Sequence, residues 1–188
     1  MFLYDIKQYV KVYLNFIPRE SCKIIIDRIN EDKWIEHNYS SLDTNIRAKN
    51  KKEFLMTEAS FQGIEELNRG IAWMIDKYVL EHLNYPWYNK WQNFHNVRFN
   101  KYTEGTFMSV HCDHITTLFD GNRKGIPTLT VLGTLNDDFE GGDFLMWDNE
   151  KIELPAGSLI IFPSNFMFPH SVTPVTKGTR YSYVTWVW

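Results

Sequence analysis

"VRFNKYTEGTFMSVHCDH", residues 97–114, marks where this chain changes character. Upstream of it the apolar residues recur at helical spacing. Within it and onward to the C-terminus, short apolar and aromatic runs alternate with turn residues. The runs are "VRFNKYT", "TFMSVHCDH", "TLTVLGTL", "DFLMWD", "KIEL", "SLIIFP", "HSVTPV" and "RYSYVTWVW", punctuated by "DGN", "EGG", "PAGS" and "KG". Several short strands at this spacing predict an all-β sandwich or barrel.

Toward the N-terminus, "QGIEELNRGIAWMIDKYVLEHLN" predicts a helix over 62–84, with Ile64, Leu67, Ile71, Met74, Ile75, Tyr78 and His82 on one stripe. Ser60 is its expected N-cap. Gly70 inside it costs about 1 kcal/mol relative to alanine, so something other than propensity must hold the helix there. "RESCKIIIDRINE" predicts an earlier helix to about Asn30, with Pro18 in its first turn. A strand is expected from Tyr9 to about Phe16, and residues 32–52 read as a polar loop. The expected fold class is α+β: mainly β, with N-terminal helices packed on one sheet. One domain over 1–188 is expected, with 1–96 supplying the first strand and supporting helices and 97–188 the β core.

Composition excludes several classes. Hydrophobic residues at 44% and charged residues at 23% suit a globular protein and not a disordered one. The formal net charge is -3, and only "RAKNKK", 47–52, is locally basic, which argues against a nucleic-acid partner. No apolar run has membrane-spanning length. "MFLYDIKQYV" lacks the basic flank and unbroken apolar stretch of a signal peptide. Two cysteines, Cys22 and Cys112, make no disulfide framework. An intracellular, cytoplasmic placement is expected, where the sequon at Asn38 carries no weight.

Positions 111–114 hold two histidines, a cysteine and an aspartate. On a strand, side chains alternate between faces. His111 and Asp113 then point one way with Phe107 and Ser109, while Cys112 and His114 point the other. Cys112 reads as a small buried hydrophobe. His37 sits in the polar loop, His82 on a helix face and His95 just before the β region. His170 lies between two β segments. Two histidines and one carboxylate are the ligand set of non-haem Fe(II) oxygenases, but catalytic zinc accepts the same types. The residue types leave both metals open.

Arg180 opens the last run and shares a face with Ser182, Val184, Trp186 and Trp188. An arginine on an apolar face needs a partner, and its fork suits a bidentate clamp on a carboxylate. Tyr102, on the run before His111, can donate a phenolic hydrogen bond to the same group. Tyr39, Trp147 and Trp186 are candidate aromatics of a substrate groove. The loop 32–52 and the segment 118–126 are candidate borders of its entrance. "FEGGDF", 139–144, and "LPAGSLIIF", 154–162, read as turns feeding strands, without contact to substrate.

The pieces "VRFNKYTEGTFMSVHCDH", "GTLNDDFEGGDFLMWDN" and "PAGSLIIFPSNFMFPHSVTPVTKGTRYSYVTWV", in this order and spacing, resemble the iron(II)- and 2-oxoglutarate-dependent dioxygenases, in particular the prolyl 4-hydroxylase-like branch. "YVKVYLNFIPRESCKIIID" is similar, more loosely, to the opening strand and helix of that branch. The resemblance implies a double-stranded β-helix, a cupin-like jelly roll. It implies His111, Asp113 and His170 as iron ligands, Arg180 on the distal carboxylate of 2-oxoglutarate, and Tyr102 assisting it. It further implies Fe(II), 2-oxoglutarate and O2 as cofactor and cosubstrates, ascorbate as reductant, and succinate and CO2 as coproducts. Animal collagen-type enzymes carry lysine where this chain has Arg180, which loosens any inference to a collagen-like substrate. The implied reaction is hydroxylation of an unactivated C–H bond, first of all in a proline-containing peptide or protein. Another amino acid or a small metabolite is the alternative substrate. A zinc-dependent enzyme and a non-enzymatic metal-binding jelly-roll module are the rival classes.

Overall fold

The computed structural model describes residues 5–37, 54–88, 90–113 and 127–188. Tyr39, His114, most of the loop 32–52 and the segment 118–126 lie outside the described residues.

The described residues include two α-helices, α1 (Arg19–Asn30) and α2 (Ile64–His82). The strands in chain order are β1 (Lys11–Tyr13), β2 (Ile35–Glu36), β3 (Leu55–Thr57), β4 (Arg98–Tyr102), β5 (Met108–His111), β6 (Leu129–Thr134), β7 (Glu140–Gly141), β8 (Phe144–Met146), β9 (Glu150–Lys151), β10 (Leu159–Pro163), β11 (His170–Val172), β12 (Val175–Lys177) and β13 (Arg180–Val187). They form a seven-stranded sheet in the order β1-β10-β6-β13-β4-β3-β2, a four-stranded sheet β5-β11-β8-β9, and the pair β12-β7. Every pairing is antiparallel.

Strand alternation sorts the large sheet into two cores. Phe99, Leu129, Val131, Leu159, Ile161, Tyr183 and Val187 face one side. There they meet Cys22, Ile25 and Ile29 of α1 and Leu67, Ile71, Met74, Ile75 and Tyr78 of α2, so the helices cover that face. Tyr102, Leu132, Ile160, Phe162 and Val184 face the other side, against Met108, Phe144, Met146 and Val172 of the four-stranded sheet. Burying each aliphatic side chain contributes about 1.5–3 kcal/mol. The inward face of the large sheet is nonetheless mixed. Buried Asn100, Thr130, Thr134, Arg180 and Ser182 interrupt the apolar residues at the same parity.

The helical stripe in 62–84 packs as its period requires, but the helix begins later. Gly63, at φ 111, is the N-cap without a side-chain bond, because a turn closed by Ile64 N–H donating to the Phe61 carbonyl precedes it. Ser60 is therefore not the cap. Gly70 is explained by close approach: a Cβ there would lie 3.1 Å from Cζ of Phe16. The first strand is shorter than expected. Asp5 accepts a hydrogen bond from the Lys7 N–H at 2.9 Å and nucleates a 3₁₀ turn over Ile6–Tyr9, and Asn15 at φ 54 turns the chain after β1. The loop reading of 32–52 misses β2, which pairs with β3. Among the described residues, no helix is long and apolar enough to cross a membrane.

Candidate metal centre

His111 ends β5 and His170 begins β11, and the two are paired across the strands. Their rings are 4.3 Å apart, centroid to centroid. Asp113 does not sit on the strand with His111, as simple alternation predicts. β5 stops at His111 and the chain bends, which turns the carboxylate back toward both rings. Its Oδ1 lies 3.5 Å from His111 Nε2 and its Oδ2 lies 3.7 Å from His170 Nε2. One ligand atom from each of the three residues falls within 4.8 Å of the others.

Backbone carbonyls orient both rings. His111 Nδ1 is 2.9 Å from the Ser109 carbonyl, and His170 Nδ1 is 3.1 Å from the Phe168 carbonyl. A carbonyl only accepts, so each Nδ1 carries the proton and each Nε2 presents its lone pair to the gap. Asp113 is positioned by a hydroxyl relay. Thr130 donates to Asp113 Oδ2 at 2.7 Å, which leaves Ser164 to donate to Thr130 at 2.8 Å. Phe162 meets His170 edge-on at 5.1 Å, and Phe144 lies 5.5 Å from the same ring.

The charges suit a cation. Burial alone would push the Asp113 carboxyl up, but the His170 and His111 rings and the Thr130 hydroxyl more than offset this and hold it well below the usual carboxylate range. Burial pushes His170 down, against the opposing pull of the Asp113 charge. At His111 burial also opposes charge, yet the contact with Asp113 and the Ser109 carbonyl outweigh it and raise the ring above its ordinary value. An ionised carboxylate between two imidazoles can hold a divalent cation and leave coordination positions open.

A cavity of about 730 Å³ reaches the cluster only through Phe144, and its wall holds Thr134, Gly142 and Arg180 together with the carboxylates Asp137, Glu140, Asp143 and Glu153. Arg180 is 2% exposed. Its Nη1 donates to Ser182 Oγ at 2.9 Å, and its guanidinium carbon lies 5.2 Å from the centre of the Tyr102 ring. Among the described residues no carboxylate pairs with it, and burial lowers its pKa. Thr134 Oγ1, in the same wall, is buried without a hydrogen-bond partner among the described residues. A lone buried guanidinium and an orphaned hydroxyl fit an anionic ligand. Gly141 and Gly142, both at positive φ, make the turn expected of "FEGGDF", and Gly142, at φ 61, also packs on Arg180: a Cβ there would lie 3.1 Å from Arg180 Cδ.

Tyr102 faces Arg180 across the β4–β13 pair. Phe54 stacks on the Tyr102 ring at 4.5 Å, and His37 stacks on Phe54 at 4.5 Å. Trp186 is paired with Thr130, the residue that holds Asp113, so it stands near the cluster. Trp147 Nε1 donates to the Met167 carbonyl at 2.9 Å, and its backbone N–H donates to the carbonyl of Pro169, the residue before His170. Cys112 is only partly buried, contrary to its reading as a core residue, because β5 ends before it. Its Sγ lies 3.6 Å from the Phe166 carbonyl. His95 packs at the C-terminal end of β13, its ring 4.8 Å from that of Trp188 and its carbonyl accepting from Thr185. His82 packs against Tyr78.

Sequence reasoning passed over Thr130, Ser164 and Arg98. A signal existed for two of them. Thr130 and Thr134 alternate within the otherwise apolar "TLTVLGT", and Arg98 shares the parity of Tyr102 in "RFNKY".

Residues 97–188 match the model of the 2OG-Fe(II) oxygenase superfamily. A PKHD-type hydroxylase of Paracoccus denitrificans is 35% identical over 94 residues, which are 47% of this chain and 40% of that protein. The chain thus spans about two fifths of the length of the curated relatives it matches. Among solved structures, a Pseudomonas putida prolyl-4-hydroxylase superposes with a TM-score of 0.65 at 20% identity, covering 95% of this chain and 91% of that one. A Trichoplax adhaerens prolyl hydroxylase, in complex with a peptide fragment of the hypoxia inducible factor oxygen degradation domain, superposes with a TM-score of 0.70 at 16% identity, covering 96% and 83%.

Proposed function

We propose that the chain, whose residues 97–188 match the model of the 2OG-Fe(II) oxygenase superfamily, is an Fe(II)- and 2-oxoglutarate-dependent dioxygenase. In this reading it hydroxylates an unactivated C–H bond, most plainly of a prolyl residue in a peptide or protein. The observation that carries the reading is the convergence of His111, Asp113 and His170 to within 4.8 Å, with both Nδ1 atoms already engaged.

Iron bound there would supply the oxygen activation that couples decarboxylation of 2-oxoglutarate, to succinate and CO2, with insertion of one oxygen atom into the substrate. His111 and His170 would hold it through Nε2 and Asp113 through a carboxylate oxygen. The Ser164–Thr130 relay keeps that carboxylate aimed. Arg180 receives the distal carboxylate of 2-oxoglutarate, and the cavity beside it houses the chain of the cosubstrate. Tyr102 braces the guanidinium from its ring face. The two facing sheets form the double-stranded β-helix of a jelly roll, with residues 1–96 as its support in one domain. Ascorbate serves as reductant. A peptide substrate is supported by the peptide carried by the Trichoplax neighbour. Free amino acids and small metabolites are the competing substrates.

The test is iron-dependent release of succinate, stimulated by a panel of proline-containing peptides, with mass spectrometry of the products. A gain of one oxygen on proline is the expected result. A gain on another residue overturns the prolyl assignment alone. Metal binding without turnover of 2-oxoglutarate overturns the oxygenase reading.

A further inference from the structure

We propose that Arg98, seated on the Trp186 ring beside the candidate metal centre, receives a carboxylate of the prime substrate. The inference rests on the oxygenase reading and names the substrate class of that same site.

Arg98 opens β4 at the inward parity of Asn100 and Tyr102, and faces Val184 of β13. Its guanidinium carbon lies 4.8 Å from the centre of the Trp186 ring and 5.7 Å from that of Phe54. Its Nε donates to Asn100 Oδ1 at 3.1 Å, its single hydrogen-bond partner among the described residues. An arginine has five N–H donors. A guanidinium stacked on an aromatic face has its plane fixed and its edge left as a planar fork, the shape that matches a carboxylate. Trp186, on which the guanidinium sits, is paired with Thr130, whose hydroxyl donates to Asp113 at 2.7 Å, so the fork stands close to the candidate metal ligands. Trp186 Nε1 is a second donor there, buried without a hydrogen-bond partner among the described residues.

The cosubstrate does not meet this demand. Arg180 and the residue opposite Arg98, Val184, are four positions apart along β13, about 13 Å. The distal carboxylate of 2-oxoglutarate therefore answers Arg180 alone, and its keto acid end is committed to the metal. Arg98 is acted on at longer range by Asp113 and Glu58 but makes no ion pair among the described residues, so its fork is open to an anion that the prime substrate can supply. That carboxylate can be an acidic side chain beside the reacting residue or the α-carboxylate of a free amino acid.

Two probe pairs separate the sources. Proline against prolinamide tests an α-carboxylate. N-acetyl-prolyl-aspartate amide against N-acetyl-prolyl-asparagine amide tests an acidic side chain. Each is measured on the full chain with Fe(II) and 2-oxoglutarate, by succinate release in air and by tryptophan fluorescence titration without oxygen. In one pair the acid should exceed its amide by about tenfold or more. Arg98→Gln should reduce that preference to near parity, and Arg98→Lys should keep part of it. Parity in the unmodified chain, or a preference unchanged in Arg98→Gln, overturns the proposal. So does a weakened 2-oxoglutarate dependence in Arg98→Gln with the preference intact, which assigns Arg98 to the cosubstrate. The titration needs no turnover, so loss of all succinate release removes the oxygenase reading while the binding preference still decides the role of Arg98.

Discussion

Arg180 and Tyr102 face each other across the β4–β13 pair, with the guanidinium carbon 5.2 Å from the ring centre. This contact and the Ser182 hydroxyl are what the described residues offer to a cation that is 2% exposed. A buried cation so poorly matched among the described residues is poised for a ligand rather than for stability.

Arg180→Leu should therefore separate binding from folding. Losing one partner of a buried charge contact costs roughly 2–5 kcal/mol, so the dissociation constant for 2-oxoglutarate should rise about thirtyfold to several thousandfold. The melting temperature of the ligand-free chain should hold or rise, because an uncompensated buried charge is gone. Fluorescence titration and a thermal melt measure the two effects. Near-normal 2-oxoglutarate dependence in a folded variant refutes the assigned role.

Thr130→Val removes the hydroxyl that donates to Asp113 at 2.7 Å and accepts from Ser164. Groups that orient a metal ligand are typically worth 10- to 100-fold in metal affinity, and a loss of about that size is expected in a Mn(II) titration. The orphaned Ser164 hydroxyl should lower stability by about 1–3 kcal/mol as well. Unchanged metal affinity would show that Asp113 is held without the relay.

Gly142→Ala places a methyl group 3.1 Å from Arg180 Cδ at a backbone φ of 61. The left-handed conformation alone costs about 1–2 kcal/mol for a residue with a Cβ, readable by denaturant unfolding. The displaced Arg180 stem should also weaken 2-oxoglutarate binding with no change in charge. A variant that loses stability but keeps full cosubstrate affinity would confine Gly142 to the turn.

The two thiols should react unequally. Cys22 is 1% exposed and burial pushes its thiol up to about 11. Cys112 is partly exposed. A thiol reagent should label one cysteine in the native chain and the second only on unfolding. Cys112→Ser should abolish the native label. Two fast thiols in the folded protein would contradict the packing of α1 on the sheet.

The sequence by itself determined the periodic parts. The stripe Leu67, Ile71, Met74, Ile75 and Tyr78 and the alternation of β13 follow from the 3.6 and 2.0 periods of helix and strand, which are local properties of the backbone. That alternation also sets Arg180, Ser182, Val184 and Trp186 on one face. What alternation could not give is the place of Asp113. It lies past the end of β5, and a bend rather than a pleat aims its carboxylate at the two rings.

Tertiary structure alone decided the rest. Whether His170 meets His111 depends on the β5–β11 register, a pairing across 59 residues that no local period encodes. Thr130 reaches Asp113 only because β6 lies in the opposite sheet, and Gly142 touches Arg180 only where a turn meets β13. Burial is likewise a property of the whole: the same arginine at position 98 or 180 is an ordinary surface cation in the extended chain, and becomes a fork in want of a carboxylate once two sheets and their aromatic rings close around it.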